Sequence, residues 1–260
     1  MNLLMIGDVM GKPGRRAVAT LVPGLRRELS LDLVIANGEN LAAGRGLTES
    51  TAQELFDVGV DVITSGNHVW DQREIMPVLD QDVAIIRPLN YPPGAPGRGV
   101  VTQNGVVVMN LQGRTFMTDI DCPFRAADAA LAELPPDALI VVDMHAEATS
   151  EKVAMGRYLD GRVAAVLGTH THVATADARV LPGGTAYVTD VGMSGPRESV
   201  IGNEIEPVIR RFLTGMPTRM PVADKSPELQ FNAVLVEIDE STRRAKRIQR
   251  VDRVYCRDAE

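Results

Sequence analysis

The sequence predicts an α/β fold in which mixed β-sheets are flanked by helices. Short, β-branched apolar runs of about four to six residues recur along the chain, as in strands buried on both faces. Amphipathic stretches alternate with those runs, the pattern of strands covered by helices. The 260 residues are 45% hydrophobic and only 4% aromatic, so a large core is available, built on Val, Leu, Ile, Ala and Met.

In chain order, the first run is "LLMI" (3–6), followed by a helix-like stretch from about Gly14 to Leu29. "LVIA" (33–36) precedes a helix opening in "TESTAQELFDVG", with Thr48 as its N-cap and Gly59 as its stop. "DVIT" (61–64) leads to a short helix from about Asp71. "LIVVDM" (139–144) precedes a helix at Ser150–Leu159, and "VAAVLG" (163–168) runs into "THTH".

Hairpins interrupt the alternation. Asn104-Gly105 lies between two apolar runs, the favoured signal for a two-residue turn. Gly183-Gly184 is read the same way, and residues 232–251 form a closing hairpin. The Pro/Gly-rich stretch 87–99 cannot be regular structure. With residues 113–124 it suggests a cap or loop region at about 87–124 within a single domain spanning 1–260. The Gly-rich stretch 189–202 reads as loop and has no evident role.

The net charge of −7 argues against a basic nucleic-acid-binding face, so no direct nucleic acid binding is expected. The two cysteines, Cys122 and Cys256, form no metal or disulfide pattern and suit a reducing compartment. No signal peptide or membrane span is evident, and a cytoplasmic location is expected.

The informative residues stand where the apolar runs end. After "LLMI" comes Asp8, after "LVIA" come Glu39 and Asn40, and after "DVIT" come Asn67 and His68. "LIVVDM" runs into His145, and "VAAVLG" into His170 and His172. All four histidines of the chain fall at these places. Ligands of open α/β sheets bind at the carboxyl ends of strands, so parallel strands would bring the set together.

Oxygen and imidazole donors without thiolate suit Mn, Fe or Zn. Seven or eight donors are too many for one tetrahedral ion and suit two ions sharing a carboxylate. Two divalent ions against Asp8 and Glu39 leave a site of about +2, attractive to a phosphate ester. In an extended segment His170 and His172 would point to one face and reach two ions, with Thr171 turned away. Each residue alone has a plainer role: His145 as a hydrogen-bonded core residue, Asp8 as a helix cap, Asn67 as a turn residue. Their joint placement favours a metal centre. "GDVMGKPG" (7–14) is not a P-loop, because the spacing is short and Pro13 stands where Ser or Thr is needed. Lys12 and Arg15 there read as solvated charges at a helix start, able at most to steer anions.

The blocks "GD" (7–8), "GNH" (66–68), His145 and "GTHTH" (168–172) resemble the calcineurin-like metallophosphoesterase superfamily. Met10 departs from its first block, and "NGENLAAGRG" (37–46) replaces its usual second one. With "NYP", "NLQGRTFM", "DCPF" and "DMHAEATSEK", these departures resemble the YmdB-type branch. The resemblance implies a metallophosphoesterase-type βαβ sandwich. It implies that Asp8, Asn40 and His172 hold one ion, that Asn67, His145 and His170 hold the other, and that Glu39 bridges. Asn40 would take up the coordination that Met10 cannot supply, and His68 would be the catalytic acid. It further implies two divalent or mixed-valence ions, Fe or Mn favoured and Zn or Mg next, and a homo-oligomer.

The expected activity is hydrolysis of cyclic nucleotides, 2′,3′-cyclic ones favoured, by attack of a metal-bridging hydroxide, with His68 protonating the leaving alkoxide. Tyr91 and Phe116 are candidates to stack on a base, and Arg98 or Arg114 to contact phosphate, with core packing or surface salt bridging an equal reading for each. A phosphomonoesterase or general phosphatase is the first alternative. A regulatory scaffold with a structural metal site is the second, and a dinuclear amidohydrolase fits the ligand types but not the order of the blocks.

Overall fold

The computed structural model describes residues 1–256. Two large sheets stack face to face, and helices cover both outer faces. The first sheet has the spatial order Arg244–Arg250, Ala233–Asp239, Asn2–Ile6, Leu33–Asn37, Val62–Thr64. Its last three strands are parallel. The second runs Val100–Gln103, Val106–Gln112, Leu139–His145, Ala165–Thr169, Ala186–Val188, Arg179–Val180, with the middle four parallel.

Alternation along each strand builds the layers. Leu3 and Met5 face the interior between the sheets, with Leu33, Ile35, Val108, Val141 and Leu167. Leu4 and Ile6 face the other way, against Val18, Val22 and Leu25 of helix Gly11–Glu28 and Leu55 of helix Glu49–Asp57. On the far side, Val142 and Val166 pack on Ala127 and Met155 of helices Pro123–Glu133 and Thr149–Tyr158. Both faces of the central strands are therefore apolar, which is why the runs read as continuous.

The local signals hold where chemistry was specific. Thr48 caps its helix reciprocally with Thr51: each hydroxyl accepts the other residue's backbone N–H, at 3.2 and 2.9 Å. Asn104 and Gly105 both have positive φ, 50° and 79°, as a two-residue hairpin turn demands. Hairpin 232–251 forms as expected. The Gly183-Gly184 hairpin also forms, but over the longer loop 181–185, closed by Leu181 donating to the Thr185 carbonyl. The first helix starts at Gly11 rather than Gly14.

Three features lie outside the sequence reading. Helices Pro123–Glu133 and Ile205–Thr214 were not anticipated. A third sheet joins Arg253–Cys256, Glu228–Phe231, Met193–Pro196 and Asp8–Val9. Its strands have two to four residues, too short to show periodicity, and their pairing is long-range, with Met193 opposite Asp8. The stretch read as loop at 189–202 thus contains a buried strand. Gly7 and Gly192 cross here so closely that a Cβ on Gly7 would lie 2.0 Å from the Gly192 oxygen. Region 87–124 divides: residues 100–112 belong to the second sheet, leaving 87–99 and 113–122 as irregular chain. Among the described residues no helix is long and apolar enough to cross a membrane.

Candidate metal centre

The parallel strands of both sheets end on one rim, and every residue anticipated at a strand end is there. Asp8 follows the first strand through Gly7. Glu39 and Asn40 sit in the turn after Asn37, and Asn67 and His68 in the turn after Thr64. His145 is the last residue of its strand, and His170 and His172 follow Thr169.

One half of the cluster centres on His145 Nε2. It lies 3.0 Å from His170 Nδ1, 3.1 Å from Asn67 Oδ1 and 3.2 Å from Glu39 Oε2. Ligand atoms of Glu39, His145 and His170 all fall within 4.8 Å of one another. In the other half, Asn40 Nδ2 lies 3.2 Å from Glu39 Oε1 and 3.3 Å from His172 Nε2. Asp8 Oδ1 is 3.7 Å from His172 Nε2. Glu39, buried, stands between the halves.

Outer acceptors fix which nitrogen of each histidine faces inward. His172 Nδ1 donates to the Ile201 carbonyl at 2.9 Å, leaving Nε2 inward. His170 Nε2 faces the Glu147 carboxylate at 3.0 Å, leaving Nδ1 inward. Thr169 Oγ1 donates its one proton to Asp143 Oδ1 at 2.7 Å, so it accepts from His145 Nδ1 at 2.9 Å. Asp143 is further held by Asn37 Nδ2 at 3.1 Å and by the Thr64 hydroxyl. His68 Nδ1 bonds Asp71 Oδ2 at 3.0 Å, while its backbone N–H donates to Glu39 Oε2 at 3.0 Å.

The electrostatics show a proton held among these donors. Burial works against the His145 imidazolium, but Glu39, then Asp8 and Asp143, raise its pKa to about 9. Glu39 is buried too, yet His145 and His68 hold its carboxyl far below the usual range. Burial raises Asp8 to about 6 against the pull of His172 and His145. Burial, then the charge on His145, lowers His170 to about 3.

These residues fit a pair of cations. Asp8 Oδ1 is buried with no hydrogen-bond partner, an acceptor that water or a cation must satisfy. Inward lone pairs of oxygen and imidazole converge without thiolate. Gly66 leaves the space open: a Cβ there would lie 2.2 Å from His145 Nε2 and 2.5 Å from Glu39 Oε2.

The paired histidines are not arranged as their spacing predicts. They do not alternate along an extended strand. The strand ends at Thr169, and His170 and His172 have φ of 100° and 66°. A left-handed backbone, not strand alternation, turns both rings inward, and Thr171 does turn away, onto Asp190.

The proposed specificity residues are displaced as well. A cavity of about 430 Å³ over the cluster is lined by Ala42–Arg45, His68, Gln72, Glu147, the paired histidines, Ile201, Asn203 and Met220. Among the described residues none from 87–124 lines it. Tyr91 packs edge-on against Trp70, Arg98 bonds Asp82, and Phe116 is 90% exposed. Arg114 and Tyr91 line a separate cavity beside Cys122. At the first helix Arg15 is tied to Glu54 and the Leu41 carbonyl, and Lys12 lines a separate small cavity.

Several residues of the site escaped the sequence reading: Asn37, Asp143, Thr169, Glu147, Asp71 and Arg45. Asp143 had a legible signal, a carboxylate inside an apolar strand and two residues from His145, hence on the same face. Asn37 and Thr169 end their strands, and Arg45, Asp71 and Glu147 come from separate turns.

Fold and donor set together define a metallophosphoesterase-type protein, two stacked mixed sheets with a polar, metal-competent rim. Residues 4–251 match the family described as YmdB-like protein, and the chain belongs to it. It is 48% identical over 256 residues to a Bacillus subtilis 2′,3′-cyclic-nucleotide 2′-phosphodiesterase, covering 96% of each chain. Among solved structures it is similar to a Mycoplasma pneumoniae protein titled a novel phosphatase, with TM-score 0.92 and 35% identity over 99% of this chain and 95% of that one. A hypothetical protein from Thermus thermophilus superposes with TM-score 0.91 and 45% identity over 98% and 99%.

Proposed function

We propose that this chain is a metal-dependent phosphodiesterase that opens small cyclic nucleotides, 2′,3′-cyclic phosphates first among them. The observation that carries the reading is the meeting of Asp8, Glu39, Asn40, Asn67, His145, His170 and His172 on one rim beneath an open cavity. Asp8, Asn40 and His172 would hold one ion and Asn67, His145 and His170 the other, with Glu39 placed between the two sets. Fe or Mn suits these donors best, Zn or Mg less well. Bound divalent ions supply an acidified water and neutralise the phosphate oxygens.

The chain's own groups do the rest. His68 reaches the cavity with Nε2 free, because Nδ1 is engaged by Asp71, and delivers a proton to the departing ribose oxygen. Among the described residues Arg45 is the one Lys or Arg lining that cavity, and it meets the anionic substrate. Cleavage of the 2′ P–O bond leaves a 3′-monoester.

His68→Ala tests the acid role. Metal content is expected to stay at the wild-type level while turnover of a 2′,3′-cyclic nucleotide drops about 10²–10⁴-fold. A nitrophenyl diester, whose leaving group needs no proton, is expected to lose much less. Equal losses on both substrates sink the acid role. A wild type that hydrolyses 3′-monoesters faster than cyclic diesters replaces the diesterase reading with a phosphatase.

The reading includes a single domain over the whole chain and a cytoplasmic setting, which the unpaired Cys122 and Cys256 suit. It also includes self-association, supported by exposed Phe212, Leu213 and Met216 on and just after helix Ile205–Thr214. Light scattering of the purified protein tests it.

A further inference from the structure

Lys152 is fully buried, an unusual place for a lysine, and no step above uses it. It lies on helix Thr149–Tyr158, and its Nζ is 2.6 Å from Asp190 Oδ2, also buried. The Asp190 carboxylate is saturated with donors. Oδ2 accepts the Thr171 backbone N–H at 3.1 Å and the Thr171 hydroxyl at 2.8 Å, and Oδ1 accepts the Gly192 N–H at 2.8 Å.

Thr171 is the residue between the two inward-facing histidines. Both neighbours are held in a left-handed backbone that side-chain-bearing residues rarely adopt and that persists only when surroundings over-determine it. The determining contacts are few. Asp8 Oδ2 accepts the His170 N–H at 3.0 Å, the Ile201 carbonyl holds the His172 ring, and Asp190 holds everything Thr171 can donate. The glycine opening "GTHTH" makes room for this. A Cβ on Gly168 would lie 1.8 Å from the Thr189 carbonyl oxygen and 3.0 Å from Lys152 Cδ. The lysine stem therefore passes under the loop that its partner carboxylate grips.

We propose that Lys152 and Asp190 form a buried clamp on Thr171 that sets the metal affinity of the site, by holding His170 and His172 in ligating geometry before an ion arrives. They are positioning residues. Lys152 neutralises and orients Asp190, Asp190 pins Thr171, and Thr171 fixes the ring on either side. The inference rests on the two-ion reading above. Were the buried ion pair to serve only the fold, breaking it would lower stability without changing how the folded protein binds metal.

The test is a calorimetric titration of Mn²⁺ into chelator-stripped full-length protein, with thermal unfolding of the same metal-free samples. Thr171→Val removes one of the two contacts to Asp190 at nearly constant volume. It is expected to weaken Mn²⁺ binding about tenfold, the lower end for an outer-sphere partner, with the metal-free Tm close to wild type. Thr171→Ser, which restores the hydroxyl, is expected to recover the affinity. Lys152→Met is expected to weaken binding at least as much as Thr171→Val. If that variant does not fold, the Val and Ser pair decides alone. Thr171→Val binding Mn²⁺ as tightly as wild type overturns the clamp. A wild type that takes up no Mn²⁺ fails instead at the underlying metal reading, so the two failures are distinct.

Discussion

Metal uptake by this site has to displace a proton, and the amount can be worked out. With its pKa raised to about 9, chiefly by the Glu39 carboxylate overcoming burial, His145 carries its second proton at pH 7. That proton lies on Nε2, the atom facing Glu39, Asn67 and His170, because Nδ1 already donates to Thr169. His170, lowered to about 3, has none to give up. Asp8, raised to about 6, holds only ~0.1 proton at pH 7.

Filling the site at pH 7 therefore releases about one proton. Apparent affinity should fall about tenfold per pH unit below pH 9, or roughly 1.4 kcal/mol per unit. Between pH 8.5 and 7 that is ~30-fold, and below pH 6 Asp8 steepens the slope. The assay is calorimetric titration of Mn²⁺ into stripped protein, in two buffers of unlike ionisation enthalpy. The difference between the two heats counts protons. No release at pH 7, with an affinity flat from pH 7 to 8.5, refutes the argument.

Other outcomes follow from the same geometry. The Glu39–His145 pair should make the metal-free fold sensitive to pH on both sides: Glu39 is lowered, so its share is lost as pH falls below about 4.5, and His145 is raised, so its share, roughly 3 kcal/mol, is lost as pH climbs from 6.5 through 9. A pH series of thermal melts checks both signs. Gly66→Ala should abolish metal uptake, because its Cβ overlaps His145 and Glu39, and elemental analysis reads it directly. Thr169→Val leaves the buried His145 Nδ1–H without its acceptor, costing about 1–3 kcal/mol in metal-free stability by thermal melts. It should also loosen Mn²⁺ about 10–100-fold by calorimetry. Arg45→Gln should raise KM for the cyclic diester about tenfold or more with metal content unchanged, as expected for a ground-state contact to the anion.

Much of the site was legible in the chain because strand ends are. A run such as "LIVVDM" has to be buried, and a histidine immediately after it has to emerge at a sheet edge. Parallel α/β connections put those edges on one side, so Asp8, Glu39, Asn40, Asn67, His145, His170 and His172 could be gathered without coordinates. The charge balance and the two unpaired thiols narrowed the class in the same local way. Asp143 belongs here too, since strand parity alone puts it on the face of His145.

What the chain could not reveal depends on contacts between distant segments. Neither Met193–Pro196 nor Asp8–Val9 is long enough to declare itself a strand, and each exists because the other lies beside it. The inward turn of His170 and His172 is set by Asp8, by the Ile201 carbonyl and by Asp190, from three other parts of the chain. The cavity wall followed suit: loops at 42–45 and 201–203 close on the cluster, while the Pro/Gly-rich stretch that looked like a cap packs elsewhere. Residue identity and period determine which side chains reach the rim. Which nitrogen faces the centre of the cluster, and which loop stands over it, are decided only when the sheets have stacked, because those choices are made by hydrogen-bond partners far away in sequence.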